Sequence, residues 1–593
     1  MTTRNASSDR GRRLQRLRGL RHQVAQYLPF VVGICVVALL FLGYIAARGY
    51  QANRDAYRAT LALSRVDNDL REGNTAQARQ DSAKARRLAD EAERYTGGVA
   101  WGLAQHVPGL RGPTRSTRAV ATAVDSVARR VVAPAIDLSA AQAGAALHGL
   151  SYNLAPLESV APTVTGAHVL VDDDVAVVDR TAPIGLPPLD RRIAQVRARL
   201  ADLARHIANL DSAAQLAPTM LADGRRYLVL IQNNGESRAT GGVVGAYALV
   251  HVANSALVLD KVGPIDELHD ASAPVVRTDA AFERRYAGLG VTSSWRSLNL
   301  TPDFPVAAQV ASALWQRQGR PAVDGVFAID PPALASLLDV TGGVRVAGGP
   351  LLTGANVVAF LESGAYAAHA EATHPEAADA AANRYLAAAT TATFDALRAS
   401  DADGRVILRA LAKDVSDGHL QIWSEHTDEE SLLARTRAGG ALVGRGAPYL
   451  EVVTQNLTGG KVDFYLRRDV SYVAHHTSTA DDVGSGPTPM EDAVVTVRLT
   501  NTAPSPIGAD KLWVSLYLAG GTGYTAAAID GIPLAMHTDI EDGASVISTV
   551  VAIGPGQTRT LVVRVVQPAP AGAPFTYVPQ PLAVPDQVAV RRD

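Results

Sequence analysis

The residues best suited to bind a ligand follow an apolar run in the middle of the chain. Leu228 to Ile231 read as a buried strand, and polar residues come directly after it. Ligands of open α/β sheets bind beyond the carboxyl ends of strands. An arginine there offers a planar fork suited to phosphate or carboxylate, and glycines let backbone amides approach an anion. The phosphate- or ligand-binding candidates of this segment are Asn233, Asn234, Glu236, Arg238, Gly241 and Gly242.

Two other interpretations of the same segment stay open. The polar side chains are also typical of a hairpin in which they cap their own turn, and no phosphate-loop pattern is present. Gly235 to Ala239 approaches the nucleophile elbow G-x-S-x-G, but alanine replaces the last glycine and no partner histidine can be placed. The sequence therefore disfavours a serine hydrolase and identifies no catalytic residue.

The elements around this segment alternate between strand and helix. Strand-like runs at Tyr227 to Ile231, Ala246 to Val252 and Ala256 to Val262 precede a helix at Val306 to Arg317, and a strand at Gly325 to Ile329 precedes another helix. This alternation predicts a layered α/β domain over 223–445. From about Pro448 onward, short β-rich runs separated by turn signals predict an immunoglobulin-like β-sandwich over 446–593.

The N-terminal region has the pattern of a membrane anchor. Residues 1–21 carry seven arginines against one aspartate, and Leu28 to Ala47 is free of charge. Twenty such residues form a helix of roughly 30 Å, which matches the hydrocarbon core of a bilayer. We expect a cytoplasmic basic tail (1–27), a transmembrane helix (28–47) and an extracytoplasmic remainder, hence a single-pass protein of the cell membrane. A cleaved signal peptide is the rival interpretation.

A helical stalk is predicted between the span and the α/β domain, over 48–222. Its clearest periodic signal runs from Leu189 to Leu210, where apolar residues alternate steps of four and three. The only cysteine, Cys35, lies in the predicted span, so the remainder carries no disulfide. Because the chain has a formal net charge of -2 and lacks a basic, aromatic stripe, nucleic acid is not an expected partner.

Other acidic and histidine residues are weaker candidates. Asp303 comes just before a predicted helix, which favours a capping role. His369 and His374 are five residues apart and miss the spacing of helical zinc sites. A solvated loop is the expected structure there, and no metal site is predicted.

The middle of the chain resembles a known family. The segment "NNGESRATGGVVGAY" is similar to the signature of the bacterial domain of unknown function 4012 family, whose members are common in actinobacteria, membrane-anchored and extracytoplasmic. The resemblance extends through "NLTPDFPVAAQVASALW" and "VDGVFAIDPPALASLLDVTGGVRV" to about Arg398. It implies an extracytoplasmic protein of the cell envelope.

A more remote resemblance is to the LytR-CpsA-Psr domain, whose enzymes transfer glycopolymers from polyprenyl-pyrophosphate carriers to peptidoglycan. The resemblance implies that Arg238, Arg296 and Arg384 would hold pyrophosphate oxygens. Ala239 to Gly242 replace the aspartate that this family uses for magnesium, and Lys261 and Asp266 are only approximate counterparts of its later arginine-aspartate pair. The absence of those acids puts magnesium-dependent chemistry in doubt.

Two functional hypotheses follow for a chain with an N-terminal transmembrane helix, a helical stalk, a LytR-CpsA-Psr-like α/β domain and a β-sandwich. The first is a protein that binds or assembles a lipid-linked or polymeric envelope glycan without chemistry. The alternative is a glycopolymer transferase that acts on a polyprenyl-pyrophosphate glycan, with magnesium as its cofactor. The expected partners are the membrane and a polyprenyl-pyrophosphate glycan or cell-wall polymer.

Overall fold

A computed structural model describes residues 6–144, 149–364, 375–442, 447–476, 490–505, 507–570 and 573–592. The chain divides into two compact units. The first comprises Met1–Ala140 and Pro162–Ala208, and the second comprises Ala141–Ala161 and Asn209–Asp593. The candidate residues all lie in the second unit.

The first unit is built from helices that pack through small side chains. Alanines on the facing surfaces of the first two helices, such as Ala59 and Ala85, are fully buried, which lets the helix axes approach closely. The heptad pattern near Leu189 lies in one long helix, as its periodicity predicts. The helices up to the central domain are α1 (Ala6–Arg71), α2 (Thr75–Thr96), α3 (Val99–Ala104), α4 (Arg111–Ser126), α5 (Val132–Gly144), α6 (Ala155–Asp179) and α7 (Pro187–Met220).

The prediction of a transmembrane helix at 28–47 is wrong. In the part of the chain that the structure describes, no helix has both the length and the apolar character needed to cross a bilayer. The predicted stretch is one section of the longer helix α1, and near its end Ile45 is buried against Trp101 and Ala104. The predicted single-pass topology and cell-membrane localisation depended on that span, so these two predictions are wrong as well.

A five-stranded mixed sheet forms the centre of the second unit. Its strand order is β3-β2-β1-β4-β7, and β1 pairs with β4 in parallel whereas the other neighbours are antiparallel. Strands β5 and β6 form a small separate hairpin, which lies in the chain between β4 and β7. The strands are β1 (Arg226–Arg238), β2 (Gly241–Ala253), β3 (Ala256–Pro264), β4 (Gly325–Ile329), β5 (Val344–Arg345), β6 (Leu351–Leu352) and β7 (Leu420–Ser424).

Helices cover both faces of this sheet, which explains why Leu228 to Ile231 of β1 form an uninterrupted apolar run. Leu228 and Leu230 belong to a core shared with Trp315 on one face, whereas Val229 and Ile231 belong to a second core on the other. Successive side chains of a strand point to opposite faces, so a strand buried on both faces is apolar throughout. The helices are α8 (Ala280–Arg285), α9 (Phe304–Arg317), α10 (Pro331–Thr341), α11 (Val357–Ala359), α12 (Pro375–Arg398), α13 (Gly404–Asp417) and α14 (Thr427–Leu433).

The C-terminal strands form a six-stranded and a five-stranded sheet that share one apolar core. The immunoglobulin constant-type sandwich has seven antiparallel strands, whereas here β17 and β18 each add to an edge in parallel. The strands are β8 (Tyr449–Asn456), β9 (Leu466–His476), β10 (Met490–Asn501), β11 (Asp510–Leu518), β12 (Gly523–Ile529), β13 (Ile532–Pro533), β14 (His537–Glu541), β15 (Ala544–Ile553), β16 (Thr558–Pro568), β17 (Thr576–Val578) and β18 (Gln587–Arg592).

Candidate functional site

The polar segment belongs to a β-hairpin. Strands β1 and β2 pair as far as Arg238 and Gly241, so only Ala239 and Thr240 form the turn. Asn233 pairs with Val243 and Ser237 pairs with Gly242, so three residues of β1 have no counterpart on β2. Residues 234–236 therefore bulge out of the ladder at the carboxyl end of the strand.

The amides of this bulge bind a carboxylate of the chain itself. Asn234 donates its N–H to Oε1 of Glu362 over 3.0 Å, and the N–H of Gly235 donates to Oε2. Glu362 is completely buried, and burial raises its pKa to about 8, although the Lys461 ammonium and the two amides favour the ionised form. A Cβ at position 235 would lie 2.6 Å from that carboxylate, so glycine is required there. The anion-binding amides expected from the sequence are thus engaged by Glu362.

The side chain of Asn234 joins the ends of the two parallel strands. Its Nδ2 donates to Asp330, which directly follows β4, over 3.0 Å, and to the carbonyl of Pro581 over 3.1 Å. Asp330 also accepts a hydrogen bond from Ala333 N at the start of α10, and it lies 2.6 Å from Nδ1 of His419. The place where a doubly covered sheet usually binds ligands is therefore filled by buried groups that bind each other.

Arg238 is likewise engaged by the protein. Its guanidinium pairs with Glu236 at 2.7 Å and donates to the carbonyls of Asn456, at 3.3 Å, and Arg296, at 3.4 Å. Only 12% of its side chain is exposed. Because Asn456 ends strand β8, this arginine fastens the central sheet to the β-sandwich.

Neighbouring residues strengthen the same junction. Ser237 donates its N–H to Asp463 over 2.6 Å and its hydroxyl to the carbonyl of Thr454 over 3.1 Å. Gln580 donates to the carbonyls of Arg238 and Thr454, both over 2.8 Å. The polar half of β1 therefore exchanges hydrogen bonds with the sandwich in place of water or a ligand.

The remaining candidates of the segment shape the hairpin. The side chain of Asn233 accepts a hydrogen bond from Gly235 N over 3.1 Å, inside the bulge. Gly241 adopts φ 139°, which other residues rarely tolerate, and a Cβ there would overlap the side chain of Gln232. A Cβ on Gly242 would overlap the carbonyl of Asn233. Both glycines are needed for close backbone approach within the protein.

A layer of buried and partly buried carboxylates lies beside the junction. Burial raises the pKa of Asp303 to about 6, of Glu430 to about 7 and of Glu451 to about 8. Negative charge within the layer adds to this effect, since Glu541 acts on Asp303 and on Glu451. Asp303 precedes α9 as predicted, but its carboxylate accepts from Leu442 N at 3.1 Å and does not cap that helix.

A partly exposed polar cluster lies next to Arg238 on the central domain. We call it the Arg296 cluster: Arg296, Asp266, Asp379 and Asn383. Arg296 is 52% exposed, and its guanidinium lies 3.4 Å from Asp266, which accepts a second hydrogen bond from Asn383 over 3.2 Å. Burial raises the pKa of Asp379, and the charges of Lys461, Glu236, Arg296 and Asp266 all act on it. The cluster combines a solvent-accessible guanidinium with two carboxylates.

Sequence reasoning missed Asp379 and Asn383. Their spacing of four on helix α12 places both on one face, and this signal could have paired them. Arg384, the next residue, is exposed on the same helix, whereas Asn383 is buried and turned towards Asp266. Of the three predicted arginines, the structure brings Arg238 and Arg296 into contact.

Two further sequence candidates have other partners. Lys261 pairs with Glu267 at 2.8 Å and lies over the Tyr247 ring, whereas Asp266 joins the Arg296 cluster. His369 and His374 lie outside the described residues. Among the residues that are described, no group of three or more His, Cys, Asp or Glu side chains is arranged to hold a metal ion.

Fold and site together define an α/β domain, with helices on both faces of a mixed sheet, that is joined through its first strand to a β-sandwich. Residues 223–366 match the model of a family described as a protein of unknown function, DUF4012. This match confirms the predicted resemblance to that family over part of the predicted length. No curated protein and no solved structure matches the chain.

Proposed function

We propose that the central domain binds an anionic envelope glycan, either polymeric or lipid-linked, at the Arg296 cluster and without chemistry. The observation that supports the proposal is that two neighbouring arginines differ in exposure and in the number of bonds they make within the protein. The side chain of Arg238 is only 12% exposed and makes four hydrogen bonds within the protein, whereas that of Arg296 is 52% exposed and has one long ion pair. A phosphate or carboxylate of a ligand can therefore reach Arg296 with a charge-assisted hydrogen bond.

The neighbours of Arg296 favour recognition of such a group over a bare anion site. The buried Asn383 holds Asp266 beside the guanidinium, so the surface offers a side-chain oxygen at position 266 to sugar hydroxyls as well as a cation to phosphate. The remote resemblance to the LytR-CpsA-Psr domain supports the same class of ligand. That resemblance also implies a basic residue ahead of the central helix, which Arg296 would match.

A glycopolymer transferase is the second candidate, and one observation favours it. The sequence lacks the acids expected next to Arg238, but Asp266 and Asp379 both lie near Arg296. Two carboxylates suit Mg²⁺, which usually keeps several waters and binds substrate phosphates. In this candidate function Asp266 and Asp379 would hold the ion, and Arg296 would stabilise charge on the leaving pyrophosphate.

Three variants of the purified protein test the proposal with a labelled polyprenyl-pyrophosphate glycan. Arg296→Ala should weaken binding by roughly 10- to 100-fold, because a charge-assisted hydrogen bond is lost. Asp266→Asn should strengthen binding, since it removes the competing carboxylate. Arg384→Ala is the matched control, because it removes an exposed arginine outside the cluster and should leave binding unchanged.

The same assay with magnesium and peptidoglycan separates the two candidate functions. Binding without a labelled wall product supports the proposed binding protein. A product that depends on magnesium and on Asp379 would establish the transferase. Absence of binding by the unmodified protein would exclude both.

A further inference from the structure

Two buried aspartates face each other at one end of the β-sandwich. Asp463 lies in the short 3-10 helix Val462–Tyr465 that follows the β8–β9 loop, and Asp510 is the first residue of β11. Asp463 is 7% exposed and Asp510 is 1% exposed. Their carboxyl groups lie within hydrogen-bonding reach of each other.

The bonds around this pair leave three carboxylate oxygens without a donor. Oδ2 of Asp463 accepts from Ser237 N at 2.6 Å and from Nδ2 of Asn456 at 2.9 Å. Oδ1 of Asp463 and both oxygens of Asp510 accept no hydrogen bond from the described residues. The amide of Lys511 lies close enough to Asp510 to favour its ionised form, but its hydrogen bond with good geometry goes to Thr458 over 2.8 Å. Because each buried oxygen without a partner costs about 1–3 kcal/mol, we expect a proton or a cation to bind at these oxygens.

A proton shared between the two carboxyls would satisfy the pair only in part. It uses one oxygen of each residue, and the second oxygen of Asp510 still lacks a donor. A cation can contact all three oxygens and also offsets the repulsion between two buried negative charges. In the part of the chain that the structure describes, no arginine or lysine charge is among the main influences on either carboxyl group, so no basic side chain there takes this role.

A fourth oxygen borders the pair. Nδ2 of Asn456, which binds Asp463, also points at the carbonyl of Gly460 at 3.5 Å, a long contact that leaves that carbonyl weakly engaged. Gly459 and Gly460 both have φ 77°, a left-handed conformation that glycine adopts without strain. Carboxylate and backbone carbonyl oxygens from separate segments are the ligands typical of Ca²⁺ sites.

We propose that Ca²⁺ binds between Asp463 and Asp510 and is held by the three carboxylate oxygens together with the Gly460 carbonyl. Ca²⁺ suits the site better than Mg²⁺, because it accepts irregular oxygen ligands and loses water readily. The ion would rigidify the β8–β9 loop. Through the hydrogen bond from Ser237 to Asp463, it would also stabilise the junction with the central sheet.

The test is a calcium titration of the full-length protein after treatment with a chelator. Isothermal calorimetry should detect binding, and about 1 mM Ca²⁺ should raise the Tm by roughly 3 °C or more, since a ligand that binds only the folded state stabilises it. Asp510→Asn should raise the Tm of the metal-free protein, because an amide can donate to Asp463, and it should abolish the calcium response. Asp492→Asn, which changes an exposed aspartate of the same sandwich, should keep the full response.

Two results would overturn the proposal. One is the absence of heat and of any change in Tm with Ca²⁺ or Mn²⁺ in the unmodified protein, which would mean that the pair shares a proton. The other is a calcium response that Asp510→Asn leaves intact, which would place the ion elsewhere. The titration of the unmodified protein decides the first point even if the variant folds poorly.

Discussion

Arg238 and Arg296 are in contact, yet they differ in nearly every property that determines function. Arg238 is surrounded by the carboxylate of Glu236 and by backbone carbonyls, and it joins two domains. Arg296 extends into solvent beside Asp266. A guanidinium that makes most of its hydrogen bonds inside the protein contributes to stability, whereas an exposed one is available to a ligand.

The comparison also separates the family signature from the candidate binding surface. The polar residues from Asn233 to Gly242 are mostly buried at the junction of the sheet and the sandwich. The residues that can reach a ligand come from the segments around Asp266, Arg296 and Asp379, which are far apart in the chain. Changes to the first group should therefore affect folding, and changes to the second should affect binding.

The largest expected effect is that of Gly242→Ala. The added Cβ would overlap the carbonyl of Asn233 within the hairpin, and neither backbone can move without breaking the ladder. We expect a loss of about 4 kcal/mol in the free energy of unfolding, measured by chemical denaturation. Gly523→Ala in β12 is the control, because a Cβ there meets nothing within 4 Å. Equal stability of the two variants would contradict the description of the hairpin.

Arg238→Ala should destabilise the protein by about 3 kcal/mol. The substitution leaves the buried carboxylate of Glu236 without its partner and removes the bonds to β8. Arg238→Lys keeps the charge but loses the planar fork, so its loss of stability should be intermediate. Thermal unfolding followed by circular dichroism distinguishes the three proteins. A melting curve of Arg238→Ala like that of the unmodified protein would show that Arg238 does not fasten the central sheet to the β-sandwich.

The carboxylate layer beside the junction predicts that stability falls as the pH rises. Glu451 has an ordinary pKa of 4.5 when unfolded and about 8 when folded, where burial dominates and Arg437, Arg468, Glu541 and Asp303 are its charged neighbours. Between these values the folded state binds the extra proton, so the contribution to stability is full at low pH and is lost as the pH rises towards 8. We expect a decrease on the order of 2 kcal/mol between pH 5 and about pH 9.

The pH dependence can be assigned by comparing Glu451→Gln with the unmodified protein. Because the amide does not titrate, the variant should lose less stability over the same range in thermal melts buffered at successive pH values. If the two curves run parallel, the pH dependence has another source.

The smallest expected effect on stability is that of Arg296→Ala. Its ion pair with Asp266 is long and exposed, and such pairs contribute less than about 1 kcal/mol. The melting curve should therefore match that of the unmodified protein while glycan binding weakens by roughly 10- to 100-fold. A destabilisation as large as that of Arg238→Ala would remove the distinction between the two arginines.

The sequence by itself determined the elements of the central domain and the position of the polar segment. The apolar run at Leu228 to Ile231 requires cover on both faces, and the structure provides it from helices on each side. The prolines in the first turn of the helix that begins at Pro331 and the spacing from Leu189 onward likewise predict helices that are present. These features are local, since they depend on periodicity and on backbone preference.

Only the tertiary structure decided which polar groups form bonds within the protein and which remain available to a ligand. Asp463 and Asn456, which bind Ser237 and Arg238, come from the β-sandwich, more than 200 positions away in the chain. The partner of the bulge amides is Glu362, 127 positions from Gly235. The membrane span was wrongly predicted because an uncharged stretch can also be a section of a longer helix that packs against protein. Burial and partner choice depend on contacts between distant segments, and single-segment patterns do not contain them.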